Sequence, residues 1–282
     1  MLLVVPVRGV FSGVRCCAAP NGRGRPKADG RNVVRHAKMK RMDHAEIMKA
    51  ADMMVAATRY LIDNLRPSKK SPDRLRVAMF LSIAEQFEAC VHLFRVKMVS
   101  HAAVHVRSML EALVYMNLLG QKEGYVEQMR YKQLKGQKKV LESILQSEHL
   151  PMDAESLIRS KLAECSPDFE KKHQAGIRAR QIGDEILEAG LPEMIAPYLM
   201  LCGFSHNDLA VLTLRHQGSF SMTYMAPIHD EITSSIFMIA VRIIVQAAES
   251  LPKIALFPQG CFEAGFKEMN NAWENALSAC DA

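Results

Sequence analysis

Residues 100–119, Ser-His-Ala-Ala-Val-His-Val-Arg-Ser-Met-Leu-Glu-Ala-Leu-Val-Tyr-Met-Asn-Leu-Leu, decide the fold. The stretch holds no lysine, glycine or proline, so nothing in it breaks a helix. At about 100° per residue, Ala102, Ala103, Val106, Met109, Leu110, Leu113 and Met116 share one side, with Asn117 as its polar member. The other side mixes His101, His105, Arg107, Ser108 and Glu111 with Val104, Val114, Tyr115 and Leu118. A helix apolar on most of its circumference is buried, and a buried charge needs a partner. Arg107 and Glu111, at i and i+4, can pair. This is the central helix of an all-α domain, and its mixed side faces another layer or a cleft.

Working outward, the spacing predicts helices over 43–65, 72–96, 124–148, 151–165, 182–188, 192–201, 229–250 and 262–279. Asp43, Pro72, Asp73, Pro151 and Pro192 stand at their starts. Residues 66–72 and 252–260 read as connectors, and 166–181 as a polar stretch with poor periodicity. Residues 212–225 have β-like content and a Gln217-Gly218 turn signal, which reads as a small β-hairpin or an ordered loop. The expectation is a multi-helix, bundle-like domain over 43–280. Arg242 interrupts the apolar stretch 229–250, and Asp230 and Glu231 open it. It therefore reads as a core helix, and no membrane is expected.

The chain has 282 residues, 49% hydrophobic and 23% charged, and 6% aromatic with 18 methionines. That balance favours packed helices over sheets. The net charge of +6 is unevenly placed: residues 1–41 carry ten Lys or Arg against Asp29, and the rest carries 26 basic and 29 acidic residues. The body is mildly acidic, which argues against nucleic acid as its main substrate. Residues 1–41 read as a disordered basic tail, either a targeting segment that resembles a transit peptide or sequence upstream of a start at Met39 or Met42. Within the tail, Gly22-Arg23-Gly24-Arg25-Pro26-Lys27 resembles an AT-hook. That resemblance implies DNA association through Arg23 and Arg25. The seven cysteines are odd in number and contain no Cys-x-x-Cys, so a reducing, cytoplasmic setting is expected.

A second polar concentration is Ser205-His206-Asn207-Asp208, beyond Tyr198. Its spacing cannot make a hydrolase triad by itself. Either Ser205 or Asn207 caps a helix and His206 bonds to backbone, or His206 meets Arg107 and Glu111 across the bundle. His101-x3-His105 has a usable metal spacing, with Glu111, His206 or Asp208 as further ligands. It lacks the Glu of a His-Glu-x-x-His helix, and neither metal nor cofactor is expected.

Arg107-Ser108-Met109-Leu110-Glu111 with the later Tyr198…Ser205-His206 resembles an uncharacterised family of helical bacterial domains over about 45–250. The resemblance points to Arg107, Ser108, Glu111, Tyr198, Ser205 and His206. A looser comparison is with HEPN-type helical ribonucleases, whose Arg-x4–6-His motif matches Arg95-x5-His101 in spacing, though Val96 follows the arginine here. Arg31-Asn32-x3-His36 also matches, in the tail. Two function classes stay open. One is a binding or regulatory module, in bacterial stress or defence, with a protein partner or a second copy. The other is a nuclease or other hydrolase, with His206 as acid/base, Glu111 beside it and Arg107 stabilising an anionic transition state. Ser108, Tyr198, Ser205 and Asn207 line the ligand site in either class.

Overall fold

The structure is a computed structural model. It describes residues 44–281 other than 148–149, 207, 217–220 and 225, with side chains through Asn275. The tail, with Arg23, Arg25, Arg31 and His36, lies outside the described residues, as does Asn207.

The described chain is all-α, as its sequence periodicity predicts. In order it forms α1 (His44–Asn64), α2 (Asp73–Arg95), α3 (Val99–Gln121), α4 (Tyr125–Leu145), α5 (Met152–Gln174), α6 (Ile182–Glu188), α7 (Ile195–His206), α8 (Leu209–His216), α9 (Asp230–Glu249) and α10 (Cys261–Asp281). Two short strands, β1 (Arg66–Pro67) and β2 (Ala255–Leu256), pair antiparallel, with Arg66 opposite Leu256 and Pro67 opposite Ala255. They tie together the two connectors that flank the α1–α2 and α9–α10 turns.

α3 is the axis of the body. Val106, Met109, Leu110, Val114 and Met116 are fully buried, and α3 packs on α2, α7 and α9. Close α2–α3 packing follows from residues that bring no bulk. Cys90 Sγ donates to the Ala102 carbonyl at 3.4 Å, and the Arg76 guanidinium lies where a side chain at Gly120 would stand, with Nε donating to the Met116 carbonyl at 3.1 Å. Phe94 of α2 meets Phe237 of α9 edge-on, 5.9 Å between ring centres. α10 covers α1, where Gly265 admits the side chains of Tyr60 and Leu61.

Two stretches, 73–95 and 230–253, are long and apolar enough by composition to cross a membrane. Here they supply buried core side chains, Phe80, Ile83 and Phe87 from the first and Ile236, Phe237 and Ile244 from the second.

Two segments depart from expectation. α5 continues to Gln174 through Pro167 instead of ending near Cys165. Its second half is held by α4: Phe169 stacks on Tyr131 at 5.1 Å, Lys138 pairs with Glu170, and Lys172 pairs with Glu127. Tertiary packing outweighs the local penalty of one proline. Where the sequence left a hairpin or an ordered loop open, residues 209–216 form α8, and the chain then returns so that Thr223 N donates to the His216 carbonyl at 2.7 Å.

Burial pushes the Cys90 thiol up to about 12. At pH 8 its thiolate, the reactive form, is about one part in ten thousand. Iodoacetamide is therefore expected to leave Cys90 unmodified in the folded protein while the half-buried Cys202 and Cys261 react. Peptide mapping checks this. Labelling of Cys90 as fast as Cys202 would mean that α2 and α3 are not closed over it.

Candidate functional site

The site is built where α7 crosses the mixed face of α3. Arg107 and Glu111 sit one turn apart on α3, and Arg107 Nε donates to Glu111 Oε1 at 3.1 Å. On α7 the spacing Tyr198, Cys202, His206 puts three side chains on one stripe facing them. Arg107 Nη2 donates to the Tyr198 hydroxyl at 3.3 Å, and that hydroxyl donates to Glu111 Oε1 at 3.3 Å. The guanidinium carbon stands 5.5 Å from the centre of the Tyr198 ring. Arg107 Nη1 lies 3.3 Å from His206 Nε2. A guanidinium only donates, so Nε2 accepts and the imidazole proton belongs on Nδ1.

The electrostatics follow. Burial opposes the charge on Arg107, but the Tyr198 hydroxyl and the Glu111 carboxylate more than restore it, so its pKa lies above the usual value. Burial and the neighbouring Cys202 thiol push the Tyr198 phenol up, against the pull of Arg107. Tyr198 is thus a neutral relay that accepts from the cation and donates to the anion.

Of the expected meeting, the structure brings His206 of α7 to Arg107 of α3, and Glu111 joins through its own bond to Arg107. The cluster is neither sealed nor loose: the Arg107 side chain is 23% exposed, that of Glu111 30%, and His206 faces solvent. Ser205 turns away, its Oγ donating to the Leu201 carbonyl at 3.1 Å. Ser108 is exposed on the same helix. Sequence reasoning passed over Cys202, although its i+4 and i−4 relation to Tyr198 and His206 was available as a signal.

The paired histidines of α3 go to different partners. His101 lies against Ser100 and against Arg215 of α8, at 3.4 Å from its Nη2. Burial and the Arg215 charge pull its pKa below the usual histidine value. His105 bonds to Gln86 of α2. Among the described residues, no three His, Cys, Asp or Glu side chains are grouped to hold a metal ion. Arg95 pairs with Asp52 of α1 at 2.6 Å, whereas the partner of His101 on the facing element is Arg215 of α8.

One turn beyond Glu111, a second polar network begins. Lys132 of α4 donates to the Tyr115 hydroxyl at 2.8 Å and to Glu185 Oε2 at 3.1 Å, and Tyr125 OH donates to Glu185 Oε1 at 3.0 Å. The Glu185 side chain is only 1% exposed. The four residues come from three separated segments, and no sequence spacing links them.

Together these define a helical protein with a half-open Arg–Tyr–Glu–His cluster on its central helix. The chain belongs to a family of unknown function, DUF5677, which it matches over residues 73–221. That span runs from α2 to just past α8 and contains every residue of the cluster. No curated protein and no solved structure matches the chain.

Proposed function

We propose that the chain is a binding or regulatory module whose α3–α7 cluster takes an anionic group of a ligand. One observation carries this: Arg107 is held by three protein partners yet remains open on one side, next to a solvent-facing His206. Of the five guanidinium N–H groups, the bonds to Glu111, Tyr198 and His206 use three, which leaves two for a carboxylate or phosphate. His206 Nδ1–H adds a third donor. The exposed side chains of Val104 and Leu199, each within three residues of the cluster in sequence, suit a ligand with an apolar part. The same reading puts the module in the cytoplasm, in bacterial stress or defence, acting on a protein partner or a small ligand. DNA association through Arg23 and Arg25 is a separate proposal that rests on the tail alone.

A second reading, a nuclease or other hydrolase using His206 and Arg107, draws on the contact between imidazole and guanidinium. Against it, the Nε2 lone pair is already engaged by Arg107, so His206 must first release that bond to act as a base.

Titration with pyrophosphate, followed by isothermal titration calorimetry, tests the first reading. Saturation below about 10 mM, lost in His206→Ala, is the expected result. No saturation in wild type removes the anion site. Cleavage of single-stranded RNA by wild type, abolished in His206→Ala, would replace this reading with the second.

A further inference from the structure

The contact that marks the candidate site, a guanidinium against an imidazole, is repeated along α3. Arg107 Nη1 stands 3.3 Å from His206 Nε2 at the α7 crossing, and Arg215 Nη2 of α8 stands 3.4 Å from His101 Nε2 near the start of α3. In both pairs the guanidinium donates and Nε2 accepts. A tight turn makes this possible. Asp208 N donates to the Gly203 carbonyl at 3.3 Å, and a Cβ at Gly203 would stand 3.3 Å from Asp208 Oδ2. α7 thus delivers His206 and α8 delivers Arg215 to two points of one helix. His101 and Arg107 are six residues apart, about 9 Å along the axis. At about 100° per residue, Arg107, Glu111, Val104, Ser108 and His101 follow one another around α3 within a sector of about 120°, and no other residue of 101–111 falls in it. Arg107 and Glu111 form the edge of that sector next to α7. Beyond them Val104 is 44% exposed, and Ser108 and His101 are exposed, so the rest of the sector is open to solvent. Its one carboxylate, Glu111, is engaged by Arg107 and Tyr198.

We infer that this open strip of α3 takes an elongated small molecule with a phosphate at each end, one on Arg107 and His206, the other on Arg215, and an apolar middle over Val104. The inference rests on the anion site proposed above and extends it. Two guanidinium groups held apart by the fold select the two ends of the ligand, since each presents N–H groups in a fork that matches phosphate oxygens. A compact anion reaches only one of them. Joining two anionic ends makes the second contact intramolecular, and the gain is largest when the link spans the separation. Val104 selects an apolar link, because it is the exposed side chain that lies between the two pairs both along the axis and around the helix. The body, with 26 basic and 29 acidic residues beyond the tail, disfavours a nucleic-acid strand, which needs a broad basic surface.

Isothermal titration calorimetry of the full chain with pyrophosphate and with methylene, hexamethylene and decamethylene bisphosphonates, stable stand-ins for paired phosphates, is the test. The longer compounds are expected to bind about tenfold more tightly than pyrophosphate or the methylene compound. Arg215→Gln should erase that gain, and Arg215→Lys, which keeps the charge, should retain part of it, each with an unchanged far-ultraviolet circular dichroism spectrum. If Arg215→Gln perturbs the fold, the chain-length series in wild type still decides. Pyrophosphate binding with no gain at any chain length overturns the inference and leaves the anion site standing. Binding of none of the compounds removes the anion site and the inference with it. A gain that survives Arg215→Gln in a folded variant also overturns the inference, because it places the second contact elsewhere. A single-stranded oligonucleotide that binds more tightly than every bisphosphonate overturns the small-molecule class in favour of nucleic acid.

Discussion

Lys132→Met is expected to destabilise the protein by about 3 kcal/mol, because it strips the cation from a buried carboxylate while keeping the apolar stem. Glu185 is nearly inaccessible, and with Lys132 gone its remaining contact in the network is the Tyr125 hydroxyl. The figure sits at the lower end of the range for breaking a buried pair, since Lys132 is itself partly exposed. Urea denaturation measures it. The double variant Lys132→Met/Glu185→Leu is expected to regain most of the loss, because an apolar replacement of both partners leaves no orphaned charge. If the single variant costs less than about 1 kcal/mol, the pair is an ordinary surface contact. The pH dependence has a definite sign. Burial lowers the Lys132 pKa, but its bonds to Tyr115 and Glu185 raise it overall above the usual lysine value. The stabilisation is therefore fully present below the unfolded-state pKa and is lost as pH rises through the folded one. The gap between wild type and Lys132→Met should stay constant through neutral pH and narrow only in the alkaline range above about 10.

Arg107→Ala is expected to abolish pyrophosphate binding, while costing only about 1–2 kcal/mol of stability. Taken as sealed inside the bundle, the Arg107–Glu111 pair would cost several kcal/mol to break. The structure reduces that figure, because Glu111 is 30% exposed and water can replace the guanidinium. Arg107→Lys should keep the charge but not the fork that reaches Nε to Glu111, Nη1 to His206 and Nη2 to Tyr198. It is expected to bind at least tenfold more weakly than wild type. Binding that survives Arg107→Ala would move the anion site away from the cluster. A stability loss above about 3 kcal/mol with no binding in wild type would make the cluster architecture alone.

Much of this was legible in the chain. The 3.6-residue periodicity and the Pro and Asp starts mark most helix boundaries to within a few residues, because amphipathic pattern and capping are local properties. The Arg107–Glu111 pair is local too, one turn on one helix. His206 as its partner was one of two alternatives open in the sequence, the other being a bond to backbone at a helix end, and the packing of α7 on α3 decided between them. The departures are non-local. The helix through Pro167 exists because Tyr131, Lys138 and Glu127 of α4 hold it, and α8 forms despite strand-like composition. The Lys132–Glu185–Tyr125–Tyr115 network left no trace in spacing, since its members lie up to 70 residues apart in sequence.

By itself, then, the sequence determined an all-α protein with a buried central helix that carries charge on one side. It did so because helix periodicity and the cost of burying an unpaired ion are both written in neighbouring residues. Only packing between helices decided that the charged side is half-open rather than sealed and that Cys202 belongs to it. Those are matters of which helix lies over which, and that is settled by packing between segments far apart in the chain.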